Sequence, residues 1–456
     1  MLPFLNRTEE KVLISNALQK AEGQLIVVYG RRRCGKSRLL RELAGDRMLY
    51  FPADQREATL QRAALAGMLD TKLPGFSDVH YPDWEALFTN LHYRTASADA
   101  PIVLCIDEFP YLVGADAALP SIIQGFIDKF PARKVHLILA GSAQHMMGGL
   151  ALDPTAPLYG RAREVLRIRP LAPYWLQEAV EGLSGAAVVE EYAVWGGVPR
   201  YWELRADFPD LASAIKSLVF SPFGILYEEP TRLFQDETRS ATQLFSILSL
   251  IAGGCHRLSE IAARLEKPAT QLSRPLALLQ DLQYVSRDIP FGESEKTSKR
   301  GFYKIADPFL NFYFQVVVPY RSALESGQGE QIWRLTEPLR IRMLADIWER
   351  ICRQALPKLL GDMLILPPQR WWQKDTGTEL DMATTAYDRK TLVVGEVKWS
   401  DTPDVPRISA KLDRILTQPA FQGYPQVIRV LFSKSAVTAP GFDLCFSAED
   451  VVSSLK

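Results

Sequence analysis

Cysteine and histidine are scarce in this chain of 456 residues, which contains five of each. The cysteines lie far apart, no two form a CxxC pair, and no cluster of Cys and His occurs. This pattern excludes the usual zinc motifs and a disulfide framework, and it is typical of a reducing compartment. Apolar runs are short, and Arg7 interrupts the N-terminal segment before a signal-peptide core develops. We therefore expect a cytoplasmic protein without a membrane partner.

Net charge is also absent, because 53 Lys and Arg residues balance 53 Asp and Glu residues. A neutral chain binds nucleic acid only through a local basic patch. The hydrophobic content of 47% and the charged content of 23% are ordinary for a globular protein. Since the chain is too long for one hydrophobic core, we expect several domains.

A phosphate-binding loop is the most specific motif in the chain. Residues 25–29, Leu-Ile-Val-Val-Tyr, form an apolar run that predicts a strand buried on both faces. Residues 30–37, Gly-Arg-Arg-Arg-Cys-Gly-Lys-Ser, then match GxxxxGKS, and a segment of helical periodicity follows. Strand, loop and helix in this order are the context in which the pattern binds a nucleotide. We therefore predict a P-loop ATPase that binds ATP with Mg²⁺.

Each residue type of the loop has a physical role. Gly30 and Gly35 permit the backbone angles that turn successive N–H groups toward phosphate oxygens. Lys36 would hold the β- and γ-phosphates, and the hydroxyl of Ser37 would ligate Mg²⁺.

Three further residues in or beside the loop are candidate nucleotide-binding residues, namely Arg33, Cys34 and Arg38. The pKa of a thiol falls at the positive end of a helix, so Cys34 allows redox control of the site. The alternative is that its small side chain only fills the loop.

A second apolar strand, residues 102–106, carries the acidic pair Asp107 and Glu108 at its end. Ligands bind at the carboxyl ends of strands in α/β sheets. We predict that Asp107 binds Mg²⁺ through water and that Glu108 acts as the general base for the attacking water. The alternative is a solvated acidic pair at a strand end.

Two further segments are candidates for sensing the nucleotide. The strand at 135–140 ends in a polar tip with Ser142, which would lie beside the γ-phosphate unless the tip is only a turn. Arg161 and Arg163 precede a strand predicted at 165–168. Either arginine could act as an arginine finger, in cis or from a neighbouring subunit of a homo-oligomer, or it could be an ordinary surface arginine.

Several segments in the first 205 residues resemble the archaeal-type prokaryotic ATPases of the STAND branch of AAA+-related proteins. The resemblance is carried by residues 4–7 (Phe-Leu-Asn-Arg), 30–37, 106–112 (Ile-Asp-Glu-Phe-Pro-Tyr-Leu), 140–142 (Ala-Gly-Ser) and 196–201 (Gly-Gly-Val-Pro-Arg-Tyr). It implies that Arg7 lies near the nucleotide base and that Pro199 packs on the adenine or the ribose. It also implies a helical lid over residues 173–235.

The middle of the chain, residues 236–320, has the pattern of a winged helix. Helices are predicted at 244–252, at 258–265 with Ser259 as N-cap, and at 269–282, and a hairpin of two strands follows. The third helix exposes little positive charge, and the hairpin tip mixes Lys296 and Lys299 with glutamates. Because good DNA binders use several basic contacts, DNA contact and a purely packing role both stay open.

The C-terminal residues 321–456 contain a pattern of acids and one lysine. An amphipathic helix over 344–352 carries Glu349. A strand beginning at Trp371 is expected to continue through Asp381, and the next strand carries Glu396 and Lys398 on one face. Asp381 and Glu396 would hold Mg²⁺ or Mn²⁺, Lys398 would orient a water or stabilise the phosphate, and Glu349 would complete the site.

This order resembles the PD-(D/E)xK restriction-endonuclease-like fold over about residues 336–456, and in particular the domain of uncertain function often attached to these ATPases. Leu380 stands where that fold often has proline before its aspartate. The resemblance implies a metal-dependent nuclease. A nuclease-like fold used for binding or assembly, or a plain charged strand, are the alternatives.

The expected fold class is therefore α/β, with a P-loop NTPase core at 1–172 followed by the lid, the winged helix and the nuclease-like domain. The leading hypothesis is an ATPase whose nucleotide state controls a nuclease that acts on DNA or RNA. A rival is a nucleotide-controlled switch that binds DNA or a protein partner and cleaves nothing. A third hypothesis is a ring-shaped remodelling machine, which requires a trans arginine such as Arg161.

Overall fold

A computed structural model of the chain describes residues 3–44, 48–237, 241–294, 298, 300–373 and 377–456. The hairpin-tip residues Lys296 and Lys299 lie outside the described residues. The chain forms two compact units. The first comprises Asn6–Pro170 with Leu233–Arg239, and the second comprises Met1–Leu5, Leu171–Arg232 and Ser240–Lys456.

The first unit contains a parallel sheet of five strands in the order β2-β3-β4-β1-β5. Its strands are β1 (Leu25–Tyr29), β2 (Met48–Pro52), β3 (Ile102–Asp107), β4 (Val135–Gly141) and β5 (Ala162–Arg167). Its helices up to residue 170 are α1 (Thr8–Leu18), α2 (Lys36–Ala44), α3 (Ala58–Asp70), α4 (Trp84–Thr95), α5 (Phe109–Ala115), α6 (Leu119–Lys129) and α7 (Gln144–Leu152).

Burial explains why the central strands have continuous apolar runs. Every residue of β1 and β4 is buried, because both faces of the sheet are covered. Large side chains from α4 and α6, such as Trp84, Leu87 and Phe126, belong to the core on one face. The carboxyl ends of β1, β3 and β4 therefore lie side by side at one edge of the sheet.

Two details of this sheet differ from the sequence prediction. The strand β2 was not foreseen, because its residues alternate between buried and half-buried and the run ends at Pro52. The strand predicted at 165–168 begins earlier, at Ala162, so that Arg163 lies inside β5 and only Arg161 precedes it.

After residue 170 the chain is mainly helical. The helices are α8 (Tyr174–Ala179), α9 (Gly185–Trp195), α10 (Pro199–Arg205), α11 (Leu211–Ile215), α12 (Glu229–Glu237), α13 (Ala241–Ala252), α14 (Leu258–Arg264), α15 (Ala269–Asp281), α16 (Pro308–Phe312), α17 (Arg321–Glu325), α18 (Gly329–Leu335), α19 (Glu337–Leu359), α20 (Val405–Leu416) and α21 (Ala448–Ser454). Short π-helical turns follow α11 and α16, at Lys216–Phe220 and Tyr313–Val317, and 3₁₀ turns occupy Val318–Tyr320 and Pro419–Phe421.

The strands of the second unit form a small hairpin, β6 (Val285–Asp288) with β7 (Phe302–Ile305), and a mixed sheet of five strands. The mixed sheet has the order β12-β11-β10-β9-β8 and consists of β8 (Gln369–Trp372), β9 (Glu379–Thr385), β10 (Thr391–Val397), β11 (Gln426–Phe432) and β12 (Leu444–Phe446). The pairs β8–β9 and β9–β10 are antiparallel, whereas the pairs β10–β11 and β11–β12 are parallel.

The predicted continuous strand from Trp371 through Asp381 was wrong. Trp371 pairs with Leu380, so β8 and β9 are separate antiparallel strands. The final strand β12 and helix α21 were also not foreseen. The helix predicted at Val405 and the strand predicted at Val427 are confirmed.

The helices predicted at 258–265 and 269–282 are present as α14 and α15, but Ser259 is not the N-cap of α14. The helix begins at Leu258, and the carboxylate of Glu260 accepts hydrogen bonds from the backbone N–H groups of His256 (2.9 Å) and Arg257 (3.0 Å). A side chain inside the first turn therefore satisfies backbone donors before it.

The helices after residue 173 pack against the C-terminal part of the second unit. The N–H of Gly185, at the start of α9, donates to Glu449 Oε2 at 2.7 Å. Arg205 and Glu191 form a buried ion pair at 2.6 Å between α10 and α9. None of the helices among the described residues combines the length and the apolar character needed to cross a bilayer.

Candidate functional site

The backbone of the P-loop requires its glycines. Gly35 has a φ of +89°, which residues with a side chain rarely adopt. A Cβ on Gly30 would lie 2.3 Å from the carbonyl oxygen of Ile168, so the loop passes too close to the end of β5 for any side chain. Helix α2 begins directly at Lys36, so the positive end of the helix dipole lies at the loop.

The ammonium of Lys36 lies inside the curve of this loop. Its Nζ donates to the carbonyl oxygens of Gly30 at 2.8 Å and Arg31 at 3.1 Å, and the residue is only 5% exposed. The loop thus holds a cation where phosphate oxygens would bind.

Ser37 and Asp107 meet at the position expected for the metal. Ser37 Oγ donates to Asp107 Oδ2 at 2.7 Å, and Asp107 is buried. A hydroxyl and a carboxylate at the phosphate loop provide the oxygen ligands that Mg²⁺ prefers. The residues present therefore fit a Mg²⁺ ion.

Glu108 is held beside the tip of β4. The backbone N–H and the hydroxyl of Ser142 donate to Glu108 Oε2 at 3.1 and 2.8 Å. Glu108 has a left-handed φ of 52°, and its own N–H donates to Asp107 Oδ1 at 3.0 Å. The structure thus brings together three polar residues that the sequence predicted from two separate strands.

Tyr50 is a site residue that sequence reasoning missed. It lies on β2, two residues before Pro52, which pairs with Asp107 on the neighbouring strand. Its hydroxyl donates to Asp107 Oδ2, and the guanidinium of Arg41 lies 4.9 Å from the centre of its ring. Burial raises the pKa of Tyr50, and the hydrogen bond to Asp107 raises it further, so the phenol stays protonated. Only the position of β2 beside β3 could have identified it.

The remaining predicted residues of the first unit are less central. Arg7 is buried and donates to the carbonyl oxygens of Cys34 (3.1 Å) and Arg169 (2.6 Å), so it braces the backbone of the P-loop. Cys34 itself is buried. Arg161 pairs with Asp128 at 2.8 Å on the surface.

Three other predictions are placed but not tested. Arg33 adopts a left-handed φ of 68° in the loop, and Arg38 lies half-buried in the first turn of α2. Pro199 is the first residue of α10 in the second unit. A nucleotide contact of these residues stays a prediction, as do the base contact of Arg7 and the arginine-finger role of Arg161.

A second polar site lies on the mixed sheet. Gly395 pairs with Met382, which makes the next residues along the two strands, Glu396 and Asp381, neighbours. Lys398 Nζ donates to Asp381 Oδ2 at 2.8 Å and to Glu396 Oε2 at 2.7 Å. The side chains of both acids are at most 5% exposed. The structure therefore brings the three residues together as the sequence predicted.

Three cations that the sequence analysis did not name also belong to this site: Lys411, Arg370 and Arg353. Lys411, on α20, donates to Glu396 Oε1 at 2.6 Å. Arg370, on β8, lies 3.5 Å from Glu349 Oε2. The helix α20 follows β10 after a short connection, but nothing in the residue pattern distinguishes Lys411 from other surface lysines.

Glu349 faces the same cluster from α19. Arg353, one turn later, lies 3.6 Å from Glu349 Oε2 and donates to the carbonyl oxygen of Asp381 at 3.0 Å. The Oε2 atom of Glu349 is buried without a hydrogen bond. Burial, and then the charge of Asp381, raises the pKa of Glu349 to about 7.

The pKa values of the other two acids shift in opposite directions, although burial acts on both in the same direction. Burial and the neighbouring Asp381 raise the pKa of Glu396, although Lys398 and Lys411 oppose that shift. Burial would raise the pKa of Asp381 too, but the charge and hydrogen bond of Lys398 outweigh it and lower the pKa. Two acids with opposite shifts at one point are a common feature of functional sites.

The donor set of this cluster fits a hard divalent cation in part. Among the described residues, no group of three or more Asp, Glu, His or Cys side chains is arranged to hold a metal. Mg²⁺ is commonly bound by only one or two carboxylates together with water and phosphate oxygens. Asp381 and Glu396 provide two buried carboxylates, and Glu349 adds a buried oxygen without a hydrogen bond.

Comparisons with known proteins identify the first part of the chain as an ATPase domain. A family described as an ATPase domain predominantly from Archaea matches residues 4–203. A family described as archaeal and bacterial proteins of unknown function matches residues 313–410. The uncharacterised protein MJECL04 of Methanocaldococcus jannaschii is 31% identical, and the alignment covers 98% of this chain and 99% of that protein.

A solved structure of a Walker-type ATPase shares the fold. The Walker-type ATPase PABY2304 of Pyrococcus abyssi superposes with a TM-score of 0.53 at 20% identity, over 69% of this chain and 96% of that one. The ORC2 protein of Aeropyrum pernix matches with a TM-score of 0.44 at 14% identity, over 72% of this chain and 96% of that one. The chain belongs to the family of archaeal-type P-loop ATPases in which the ATPase domain is followed by a C-terminal domain of unknown function.

Proposed function

We propose that the nucleotide state of this ATPase controls a metal-dependent nuclease in its C-terminal domain, which acts on DNA or RNA. The observation that carries the proposal is the meeting of Asp381, Glu396 and Lys398 within hydrogen-bond distance on adjacent strands. The order of elements around them, a helix with Glu349, a three-stranded meander, a helix and a parallel strand, supports a restriction-endonuclease-like fold.

Each residue of the cluster has a role in this reaction. Asp381 and Glu396 hold Mg²⁺ or Mn²⁺, which supplies the positive charge that phosphodiester hydrolysis needs. Lys398 orients the attacking water or stabilises charge on the phosphate. Glu349, with a pKa of about 7, completes the oxygen ligands when it is ionised.

The P-loop residues have the roles expected of an ATPase. Lys36 would contact the β- and γ-phosphates, and Ser37 and Asp107 would hold Mg²⁺, which would offset the negative charge of the phosphates. Glu108 polarises the attacking water. Its hydrogen bonds from Ser142 give a route by which the tip of β4 senses the γ-phosphate.

The module of α13 to α15 with the hairpin β6–β7 has the order of a winged helix. Its hairpin packs against the strand β8, because the rings of Phe302 and Trp372 lie 4.6 Å apart and the N–H of Phe291 donates to the carbonyl of Arg370 at 2.7 Å. These contacts favour a packing role for the hairpin. The exposed side chains Gln271 and Arg274 of α15 leave that helix available for DNA.

A cleavage assay with the full-length protein tests the nuclease. Single-stranded, duplex and branched DNA and RNA are incubated with Mg²⁺ or Mn²⁺, with and without ATP. We expect Asp381→Asn to abolish cleavage and Lys36→Ala to remove its dependence on ATP. Asp388→Asn, on the exposed turn between β9 and β10, is the matched control and should cleave like the wild type.

Absence of cleavage on every substrate while ATP hydrolysis is intact would overturn the nuclease proposal. Cleavage that persists in Asp381→Asn would show that a contaminant or another site is responsible.

A second candidate function is a nucleotide-controlled switch that binds DNA or a protein partner without cleavage. The observation that favours it is charge balance, because Lys398 and Lys411 already neutralise the buried carboxylates of Asp381 and Glu396. On this hypothesis Asp381→Ala and Lys398→Ala leave cellular function intact, whereas Lys36→Ala destroys it. Equal loss in both groups of variants would eliminate the switch.

A further inference from the structure

A polar cavity of about 300 Å³ lies within the second unit, between the hairpin β6–β7 and helix α19. This volume is at the lower end of the range for small-molecule sites. The hairpin contributes Asp288 and Lys304 to its wall, and α19 contributes Asp346, Arg350 and Arg353. None of these residues serves the P-loop, and only Arg353 also touches the acidic cluster.

Arg350 is the cationic residue of the wall that is available to bind an anion. Its Nη1 donates to the backbone carbonyl of Ala306, and within the described part of the chain it forms no ion pair with a carboxylate. The side chain of Arg350 is half-buried in the cavity wall, so water solvates its charge only in part. A partly buried cation without a carboxylate in contact is costly, and an anion in the cavity would lower that cost.

The other charges on the wall are largely compensated. Lys304 lies 3.5 Å from Asp346, and Arg353 lies 3.6 Å from Glu349. Asp307 and Asp288 both contribute negative charge to the field at Arg350 without pairing with it, and Asp288 is the one of the two that lines the cavity. A ligand that fits this wall therefore has an oxyanion for Arg350 and hydrogen-bond donors for Asp288.

We propose that this cavity binds a small organic molecule that carries a phosphate or carboxylate group and at least one hydroxyl or amine. Guanidinium groups bind such oxyanions through paired N–H donors. This inference goes beyond the ATPase and the nuclease, because it requires neither a nucleotide in the P-loop nor a nucleic acid.

Arg353 connects the cavity to the acidic cluster. It lines the cavity, and it also donates to the carbonyl of Asp381 at 3.0 Å and pairs with Glu349. A bound oxyanion that attracts this guanidinium competes with Glu349 for it. Occupancy of the cavity would therefore change the charge environment of Glu349 through a single side chain.

Calorimetric titration of the full-length protein tests the site. The probes are inorganic phosphate, ribose 5-phosphate and glutamate, and all variants carry Lys36→Ala so that phosphate bound in the P-loop does not contribute. We expect at least one probe to bind, and Arg350→Met to weaken its binding about tenfold or more, as expected for the loss of a charge-assisted contact. Arg342→Met, an exposed arginine on the same helix, is the matched control and should leave binding unchanged.

A second variant separates ligand binding from folding. Asp288→Asn removes the negative charge that faces the oxyanion, so it should strengthen the binding of inorganic phosphate, the opposite direction to Arg350→Met. If Arg350→Met does not fold, Arg350→Lys together with Asp288→Asn provides the same comparison. Failure of all three probes to bind at millimolar concentration, or equal affinity in every variant, would overturn the proposal.

Discussion

At the scale of single residues, both candidate sites depend on buried charge that is compensated by one or two partners. Asp107 receives hydrogen bonds from Ser37 and Tyr50, and Asp381 and Glu396 share Lys398. Such partners hold buried acids in one orientation and offset part of the free-energy cost of burying them. Removal of one partner should therefore lower the activity of the site more than it lowers the stability of the fold.

Tyr50→Phe tests this for the ATPase site. The change removes the hydrogen bond to Asp107 but leaves the ring and the bond from Ser37 in place. Hydrogen bonds to charged groups contribute about 1.5–3 kcal/mol, so we expect kcat for ATP hydrolysis to fall roughly tenfold to a hundredfold. Steady-state ATPase kinetics measure it, with the exposed Tyr93→Phe as control. An unchanged kcat would show that Tyr50 only fills space.

Glu349→Gln tests the buried carboxyl. The pKa of Glu349 is raised from its ordinary 4.5 to about 7, so between these pH values the folded chain binds more protons than the unfolded chain. Stability contributed by the protonated group is therefore present below pH 4.5 and lost as the pH rises through 7. Since glutamine does not ionise, we expect the variant to exceed the wild type by ~1–3 kcal/mol at pH 8 and to match it at pH 4.5.

Urea denaturation at both pH values measures this difference. Glu379→Gln, a more exposed acid that also pairs with Arg370, is the control and should show little dependence on pH. A Glu349→Gln variant that is less stable than the wild type at pH 8 would contradict the prediction, because it would mean that Glu349 stabilises the fold as a carboxylate.

At the scale of elements, the helices α9 and α10 are joined by a buried ion pair. Arg205 and Glu191 are each 5% exposed in their side chains, and Glu191 also accepts a hydrogen bond from Trp195 Nε1 at 2.8 Å. Loss of one partner leaves the other charge buried and unpaired. We therefore expect the packing of α9 against α10 to be stable only when both charged residues, or neither of them, are present.

We expect Arg205→Met to lower the free energy of unfolding by ~3–5 kcal/mol, and Arg205→Met with Glu191→Leu to recover much of the loss. Urea denaturation measures both. Arg200→Met breaks the exposed pair with Glu203 in the same helix and should cost ~1 kcal/mol or less. A double variant as unstable as Arg205→Met would show that packing, and not the unpaired charge, causes the loss.

At the scale of the whole molecule, the two compact units predict two steps of thermal unfolding. Only the first unit contains the P-loop, so ATP with Mg²⁺ should raise the temperature of one step and leave the other unchanged. At a ligand concentration of about 100 Kd the stabilisation is ~2.7 kcal/mol. Differential scanning calorimetry measures it, and Lys36→Ala should abolish the shift. If ATP with Mg²⁺ raised the temperatures of both unfolding steps, the prediction that the two units unfold independently would be wrong.

Much of the ATPase site could be predicted because its chemistry is local in sequence. The turn of the P-loop depends on Gly30 and Gly35, and Lys36 begins the helix directly afterwards. The strand predicted at 102–106 is present as β3 and ends at Asp107. Because each of these patterns is contiguous in the chain, the local strand and helix are enough to form it, and the rest of the fold need not be known.

Strand boundaries and edges were harder to predict. β2 was missed because a half-buried edge strand lacks a continuous apolar run, and β8 and β9 were merged although Gly377, a residue type that commonly marks a turn, stands between them. Periodicity reports how residues are buried, but it does not report where a short strand reverses.

The sequence by itself therefore determined the residue types, the phosphate loop, and the order of elements that places acids at strand ends. Only the tertiary structure decided that Tyr50 reaches Asp107, that Lys411 reaches Glu396, and that the hairpin packs on β8. These contacts join common side chains that are distant in the chain or on different elements. Their meeting depends on sheet order, register and packing, which a local pattern of residues does not encode.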